Sequence, residues 1–281
     1  MNNQKWVKLK EHHELVSERP IIDLFEDQQR FNNFSAEANN ILLDYSKTNI
    51  DMYTKAMLLE LIASSGLFQK REKMFSGAVI NESENRSALH WTLRASEQNI
   101  TLQEKTALES IKKASVKTEK FADEIRSGQI KSATNHNFND IINVGIGGSD
   151  LGPKMSTQAL APYHDGPRCH FISNIDSAEL TDKLKFLQPE TTLVIIASKT
   201  FTTVETMTNA RSIIAWLKDK IPIGFEKHLV AISSNRKETM GYGISPERVF
   251  DFPNSIGGRY SMWGPIGLPI MIAIGINNFH E

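Results

Sequence analysis

The hydrophobic rhythm of the chain changes near residue 138. Before that point apolar side chains recur at three- and four-residue steps: Phe31 and Phe34, then Ile41, Leu42 and Tyr45, then Met57, Leu58, Leu61 and Ile62. That spacing predicts a helical region over residues 1–130, with its Phe, Leu and Met stripes turned to a core. Lys10-Glu-His-His-Glu14 reads as a solvated helix face, because adjacent histidines point about 100° apart on a helix and share one metal ion poorly. Lys112, Lys113 and Lys117, with Glu109 and Glu119 nearby, read the same way.

From residue 138 onward, short runs rich in Ile, Val and Phe alternate with helical stretches. Strands are predicted over residues 141–146, 169–173, 192–198, 228–233 and 248–252, and helices over 153–161, 177–187, 203–218 and 236–241. Runs this apolar suit strands buried on both faces. Five of them separated by helices predict an α/β fold, a doubly wound five-stranded parallel sheet flanked by helices and joined by right-handed crossovers. The chain then divides into the helical region 1–130, the α/β domain 131–256 and a glycine- and arginine-containing segment 257–281. No internal repeat or low-complexity linker interrupts it.

Composition narrows the function. With 281 residues, 40% hydrophobic and 23% charged, the chain is neither disordered, collagen-like nor a disulfide-stapled miniprotein. Its 32 Lys plus Arg against 33 Asp plus Glu give a net charge of −1, leaving no basic surplus for a run of phosphates, so nucleic acid is not the expected partner. Cys169 is the single cysteine, a usage that fits a reducing cytosol and predicts a cytoplasmic protein. The first residues show no apolar core of a secretory signal. The longest nearly uncharged apolar run, 263–276, has 14 residues and is punctuated by Gly264, Pro265, Gly267 and Pro269, whereas a membrane span wants about 20. A soluble chain is expected.

Ligands of open α/β sheets bind beyond the carboxyl ends of the strands, and three segments there are unusual. Val144-Gly-Ile-Gly-Gly-Ser-Asp-Leu-Gly-Pro153 allows close backbone approach, and Ser149 or Asp150 is suited to cap the following helix. It closes neither a dinucleotide fingerprint, since Asp150 stands where the last glycine would be, nor a phosphate loop, since Pro153 precedes Lys154. Ala197-Ser-Lys-Thr-Phe-Thr-Thr-Val-Glu-Thr206 gathers hydroxyls around Lys199. Its Thr202-x-x-Glu205 fits a capping box, and the whole suits a phosphate cradle at a helix N-terminus. Third, Gly257-Gly258 precedes Arg259, a cation placed to clamp a phosphate or steady an oxyanion. A plain glycine turn, a hydroxyl-rich turn without ligand and a structurally paired arginine remain the respective alternatives. No Cys, His and carboxylate cluster has metal-ligand spacing.

Together these three segments resemble, in order, signature stretches of the glucose-6-phosphate isomerase family. Phe75-Ser-Gly and Asn85-Arg-Ser-Ala-Leu-His-Trp-Thr-Leu-Arg94 resemble its N-terminal part. The resemblance implies a sugar-isomerase (SIS) fold and interconversion of glucose 6-phosphate and fructose 6-phosphate through an enediolate. It implies no organic cofactor, a hexose phosphate as substrate and a homodimer in the complete enzyme. It implies that Gly148, Ser149, Ser198, Lys199, Thr200 and Thr203 bind substrate, the hydroxyl loop taking the phosphate, and that Arg259 stabilises the enediolate.

The same resemblance places the family's glutamate base, ring-opening histidine and a late lysine beyond the third motif, in a second SIS domain. The apolar positions Met262, Ile266, Ile270, Ile274 and Phe279 also read as a face wanting a partner. The expectation is therefore the N-terminal half of an isomerase, a fragment or the product of a split gene, with segment 257–281 leading to a missing second domain and little turnover unaided. A non-catalytic sugar-phosphate-binding module or partner subunit is the alternative, and a nucleotide-dependent enzyme a more distant one.

Overall fold

The computed structural model of the protein describes residues 3–95, 102–251 and 253–281, in two compact units, Met1–Lys73 and Met74–Glu281. The first unit contains α1 (Asn3–Val16), α2 (Arg30–Asn33), β1 (Ser35–Ala38), β2 (Ile41–Asp44) and α3 (Met52–Ser64), and the division falls within α4 (Leu67–Phe75). The helical reading of this stretch needs correction. Ile41 and Leu42 lie on an antiparallel hairpin with Tyr45 just beyond it, because Asn39 and Asn40 adopt φ of 50° and 61°, the left-handed pair that tight hairpin turns require. Periodicity alone is blind to that turn. Nor does the stripe on α3 form a core: no α3 residue is buried. What is buried is Phe34, with Arg30 stacked on its ring at 4.4 Å. The Arg30 guanidinium donates to the carbonyls of Ser46, Thr48 and Ile50, which satisfies its charge away from water.

In the second unit a small antiparallel pair, β3 (Val79–Asn81) and β4 (Arg86–Ser87), and α5 (Leu102–Arg126) precede the sheet. Its strands are β5 (Asp140–Val144), β6 (Arg168–Ile172), β7 (Thr192–Ala197), β8 (Leu229–Ile232) and β9 (Val249–Phe250). All pair in parallel, in the order β6-β5-β7-β8-β9. The five expected strands are thus present, the last one shorter; Phe252, placed at its end by the sequence, lies outside the described residues, as do residues 96–101 of the expected helical region. Between strands run α6 (Leu151–Ala159), α7 (Ser177–Leu184), α8 (Val204–Lys220) and α9 (Arg236–Gly241).

Period-two alternation divides the sheet residues between two cores. Ile142, Val144, Val194, Ile196, Leu229 and Ala231 pack with Ala210, Ile213 and Leu217 of α8. Ile141, Leu193, Ile195, Val230 and Ile232 pack on the other face with Phe121 and Ile125 of α5. That second face also receives α10 (Leu268–Ile274), which α11 (Ile276–His280) follows. The expectation of an unpartnered apolar face near the C-terminus is therefore wrong. Ile266, Ile270 and Ile274 are buried and Met262 and Phe279 partly so, because this segment roofs the unit's own sheet. Cys169 of β6 lies under α10, its Sγ 3.4 Å from the Pro269 carbonyl, and burial, helped by the charge of Asp140, pushes its thiol up to about 12. Among the described residues no helix is long and apolar enough to cross a membrane.

His228, at the entry to β8, is fully buried. Its Nδ1–H donates to the Thr192 carbonyl at 2.8 Å and its Nε2 accepts the Ala133 N–H at 3.1 Å, so both nitrogens are used by the neutral ring. Burial holds its pKa below the ordinary value of 6.5. The unfolded chain therefore takes up this proton first as pH falls, and stability present above about pH 6.5 is lost on acidification through the folded-state pKa, by at most about 1.4 kcal/mol per pH unit. Urea melts at pH 7.5, 6.5, 6.0 and 5.5 should show this slope, and His228→Asn should lower stability at pH 7.5 yet flatten it; an unchanged slope in the variant would assign the effect elsewhere.

Candidate functional site

The strand order reverses between β5 and β7: the chain leaves β5 for one edge at β6, then returns past it to build β7, β8 and β9. A crevice opens at such a switch point, beyond the carboxyl ends of the two strands. The loops that meet there are the glycine loop after β5 and the hydroxyl loop after β7.

The glycine loop turns at Gly147, whose φ is 58°. Asn143, buried within β5, donates from Nδ2 to the Ser149 carbonyl at 2.9 Å and so fixes the far side of the turn. Gly148 touches the backbone of Gly258: a Cβ on Gly148 would overlap the Gly258 carbonyl group. This contact sets the Gly257-Gly258-Arg259 turn beside the glycine loop, and Ser261 Oγ closes the turn by donating to the Gly258 carbonyl at 2.6 Å. Asp150 precedes α6 but caps it with no side-chain hydrogen bond, contrary to expectation, and Ser149 is not the cap either. Asp150 is buried with Oδ1 unpartnered, and burial raises its carboxyl above the usual range.

The hydroxyl loop is held from below and left open above. The Lys199 carbonyl accepts from Ser233 Oγ, Ser234 N and Ser234 Oγ at 3.0, 3.1 and 2.8 Å, and Asn235 Nδ2 donates to the Thr200 carbonyl at 3.1 Å. Phe201 sits in the left-handed region, φ 57°, with its ring buried edge-on to Tyr242, a backbone strain of the kind found where a loop is shaped for a ligand. Ser198 and Thr203 hydroxyls lie 3.2 Å apart and Thr202 donates to Thr200 at 2.8 Å. The expected capping box does not form. Thr203, not Thr202, is the residue before α8, and its side chain makes no bond to the helix. The first-turn N–H groups thus lack a side-chain cap, and the helix dipole adds partial positive charge at the same point. Lys199 Nζ donates to the Asn254 carbonyl at 3.2 Å, and burial followed by the Arg86 charge lowers its pKa.

Of the residues singled out by sequence, Gly148, Ser149, Ser198, Lys199, Thr200 and Thr203 all lie on the two loops of the switch point, and Arg259 stands exposed on the turn locked to Gly148. Sequence reasoning missed Asn143, though an amide inside the run Asp140-Ile-Ile-Asn-Val144 was a signal, and it missed Ser233, Ser234 and Asn235, a polar cluster ending β8. Among the described residues no group of three or more His, Cys, Asp or Glu is placed to hold a metal.

Comparison with known proteins gives a concordant result. The family model described as phosphoglucose isomerase matches residues 44–281. A glucose-6-phosphate isomerase of Ruegeria sp. (strain TM1040) is 48% identical over 278 residues, covering 98% of this chain and 52% of that protein. Another from Agrobacterium fabrum is 48% identical over 255 residues, covering 90% and 47%. A crystal structure of a glucose-6-phosphate isomerase from Chlamydia trachomatis superposes with a TM-score of 0.81 at 25% identity, over 98% of this chain and 53% of that one. The chain spans about half the length of the curated relatives it matches.

Three substitutions test the geometry. Gly148→Ala should part the glycine loop from Gly258 and weaken binding of a sugar phosphate about tenfold or more, whereas Gly241→Ala, which meets nothing within 4 Å, should not. Asn143→Leu should cost about 1–3 kcal/mol of stability by orphaning the Ser149 carbonyl. Calorimetric titration and urea melts measure these, and a Gly148→Ala protein binding as tightly as wild type would discount the contact.

Proposed function

The chain belongs to the phosphoglucose isomerase family, and on that premise we propose that it carries the phosphate-binding and charge-stabilising part of an isomerase interconverting glucose 6-phosphate and fructose 6-phosphate. The observation that supports this most is the hydroxyl loop on the uncapped N-terminus of α8, facing the glycine loop across the switch point. Ser198, Thr200 and Thr203 offer hydroxyls, α8 its first N–H groups and Lys199 a cation to a phosphate dianion. That grip, remote from the reacting carbons, holds the open-chain sugar against Gly148 and Ser149 in a fixed pose.

Moving a proton between C1 and C2 passes through an enediolate whose oxygen charge needs a preorganised cation, and Arg259 fills that role. The proton itself needs a base. The family resemblance assigns the base to a glutamate beyond residue 281, and the greater length of the relatives leaves room for it. In this reading the chain alone binds substrate and turns it over little. The complete enzyme is a cytoplasmic homodimer of glycolysis and gluconeogenesis that uses neither organic cofactor nor metal.

Titration calorimetry of the chain with glucose 6-phosphate should register binding that Lys199→Ala and Thr203→Val each weaken about 10- to 100-fold, as loss of a hydrogen bond to a charged group implies. Wild-type affinity in both variants would end the phosphate assignment. A coupled assay should find turnover restored when the remaining half of the Ruegeria relative is added. Turnover by residues 1–281 alone, abolished in Arg259→Gln, would place a base within those residues and overturn this assignment.

A further inference from the structure

Arg259 is exposed, and a long exposed side chain wanders among rotamers unless something holds it. The Tyr260 ring does: the Arg259 guanidinium carbon lies 5.0 Å from its centroid. Tyr260 is held in turn by His90, whose imidazole stacks on it at 4.2 Å with planes 18° apart. His90 belongs to a segment that grips the arginine turn at two further points, through Leu89 N to the Ser255 carbonyl at 2.9 Å and Arg86 Nη1 to the Asn254 carbonyl at 2.7 Å. We propose that His90 is a positioning residue which, through the Tyr260 ring, fixes Arg259 where the enediolate charge develops. This rests on the isomerase reading above.

The stack works with a neutral imidazole. Burial first, then the charges of Arg94 and Arg259, lower the His90 pKa, and a protonated ring would set a second cation beside Arg259. Arg94 is itself held over the Trp263 ring at 4.2 Å, so the charges facing His90 are both fixed by aromatic partners. A flat, uncharged ring is what the position demands, and phenylalanine meets that demand while alanine does not.

The test uses the whole chain with two probes. One is glucose 6-phosphate; the other is a five-carbon aldonate phosphate, whose carboxylate places negative charge where the enediolate would carry it. Wild type should prefer the aldonate, and His90→Ala should cut that preference about three- to tenfold, an effect of the size of a cation–aromatic contact. Glucose 6-phosphate affinity should stay within about twofold, and His90→Phe should restore the preference. In the Arg259→Gln background His90→Ala should change nothing further. A ligand-free readout runs beside it: the Arg259 Nε–H resonance, displaced by the Tyr260 ring current and assigned with Arg259→Gln, should move to the free-arginine position in His90→Ala and in Tyr260→Leu, but not in His90→Phe. A resonance unmoved by His90→Ala, or an unchanged preference in a protein that binds both probes, overturns the positioning role. A resonance that responds as expected in a protein that binds neither probe supports the positioning role and overturns the phosphate reading instead.

Discussion

Two glycines in van der Waals contact decide where the arginine turn sits. Strands β5 and β7 would hold their loops at the switch point whatever followed, but the arginine turn lies more than a hundred residues downstream of the glycine loop and must be brought to it. The missing side chain at Gly148 lets the two backbones meet. No attraction is needed for this beyond the packing already present; the constraint is steric, and it acts by permitting a distance that any Cβ forbids. The glycine loop is shaped by Asn143 from within the sheet, and the arginine turn by its own Ser261.

The opposite wall is built on another principle. The hydroxyl loop carries a strained residue, Phe201, kept in place by its buried ring, while a polar cluster at the end of β8 takes up the loop's inward carbonyls. Those bonds satisfy the carbonyls from beneath, while the first-turn N–H groups of α8 keep no side-chain cap. One wall is therefore defined by backbone proximity and the other by hydroxyl and N–H donors, and the proposed sugar-phosphate reading rests on that asymmetry.

The strands were legible because burial on both faces writes them as apolar runs, and both candidate loops followed from strand ends rich in glycine or hydroxyls. The hairpin at Ser35–Asp44 escaped because its turn is local chemistry at Asn39 and Asn40, while Ile41 and Leu42 mimic a helical step. The capping box failed because α8 starts one residue later, after Thr203, with the Thr202 hydroxyl engaged by Thr200, which a spacing rule does not weigh. The apolar C-terminal stretch was read as unpartnered because a sequence does not show that the second face of its own sheet is still uncovered. Support from Ser233 and Ser234 and the stacking of His90 on Tyr260 depend on tertiary approach, and no periodicity contains them.

The roof over that second face also bears on how its loosening would be seen. Cys169, the one thiol of the chain, is lodged beneath α10 and kept protonated by its surroundings. Alkylating reagents attack thiolates, so modification at neutral pH is slow while the helix stays down. Any loosening of α10 that rehydrates Cys169 would bring its pKa back toward the ordinary thiol range and speed its labelling.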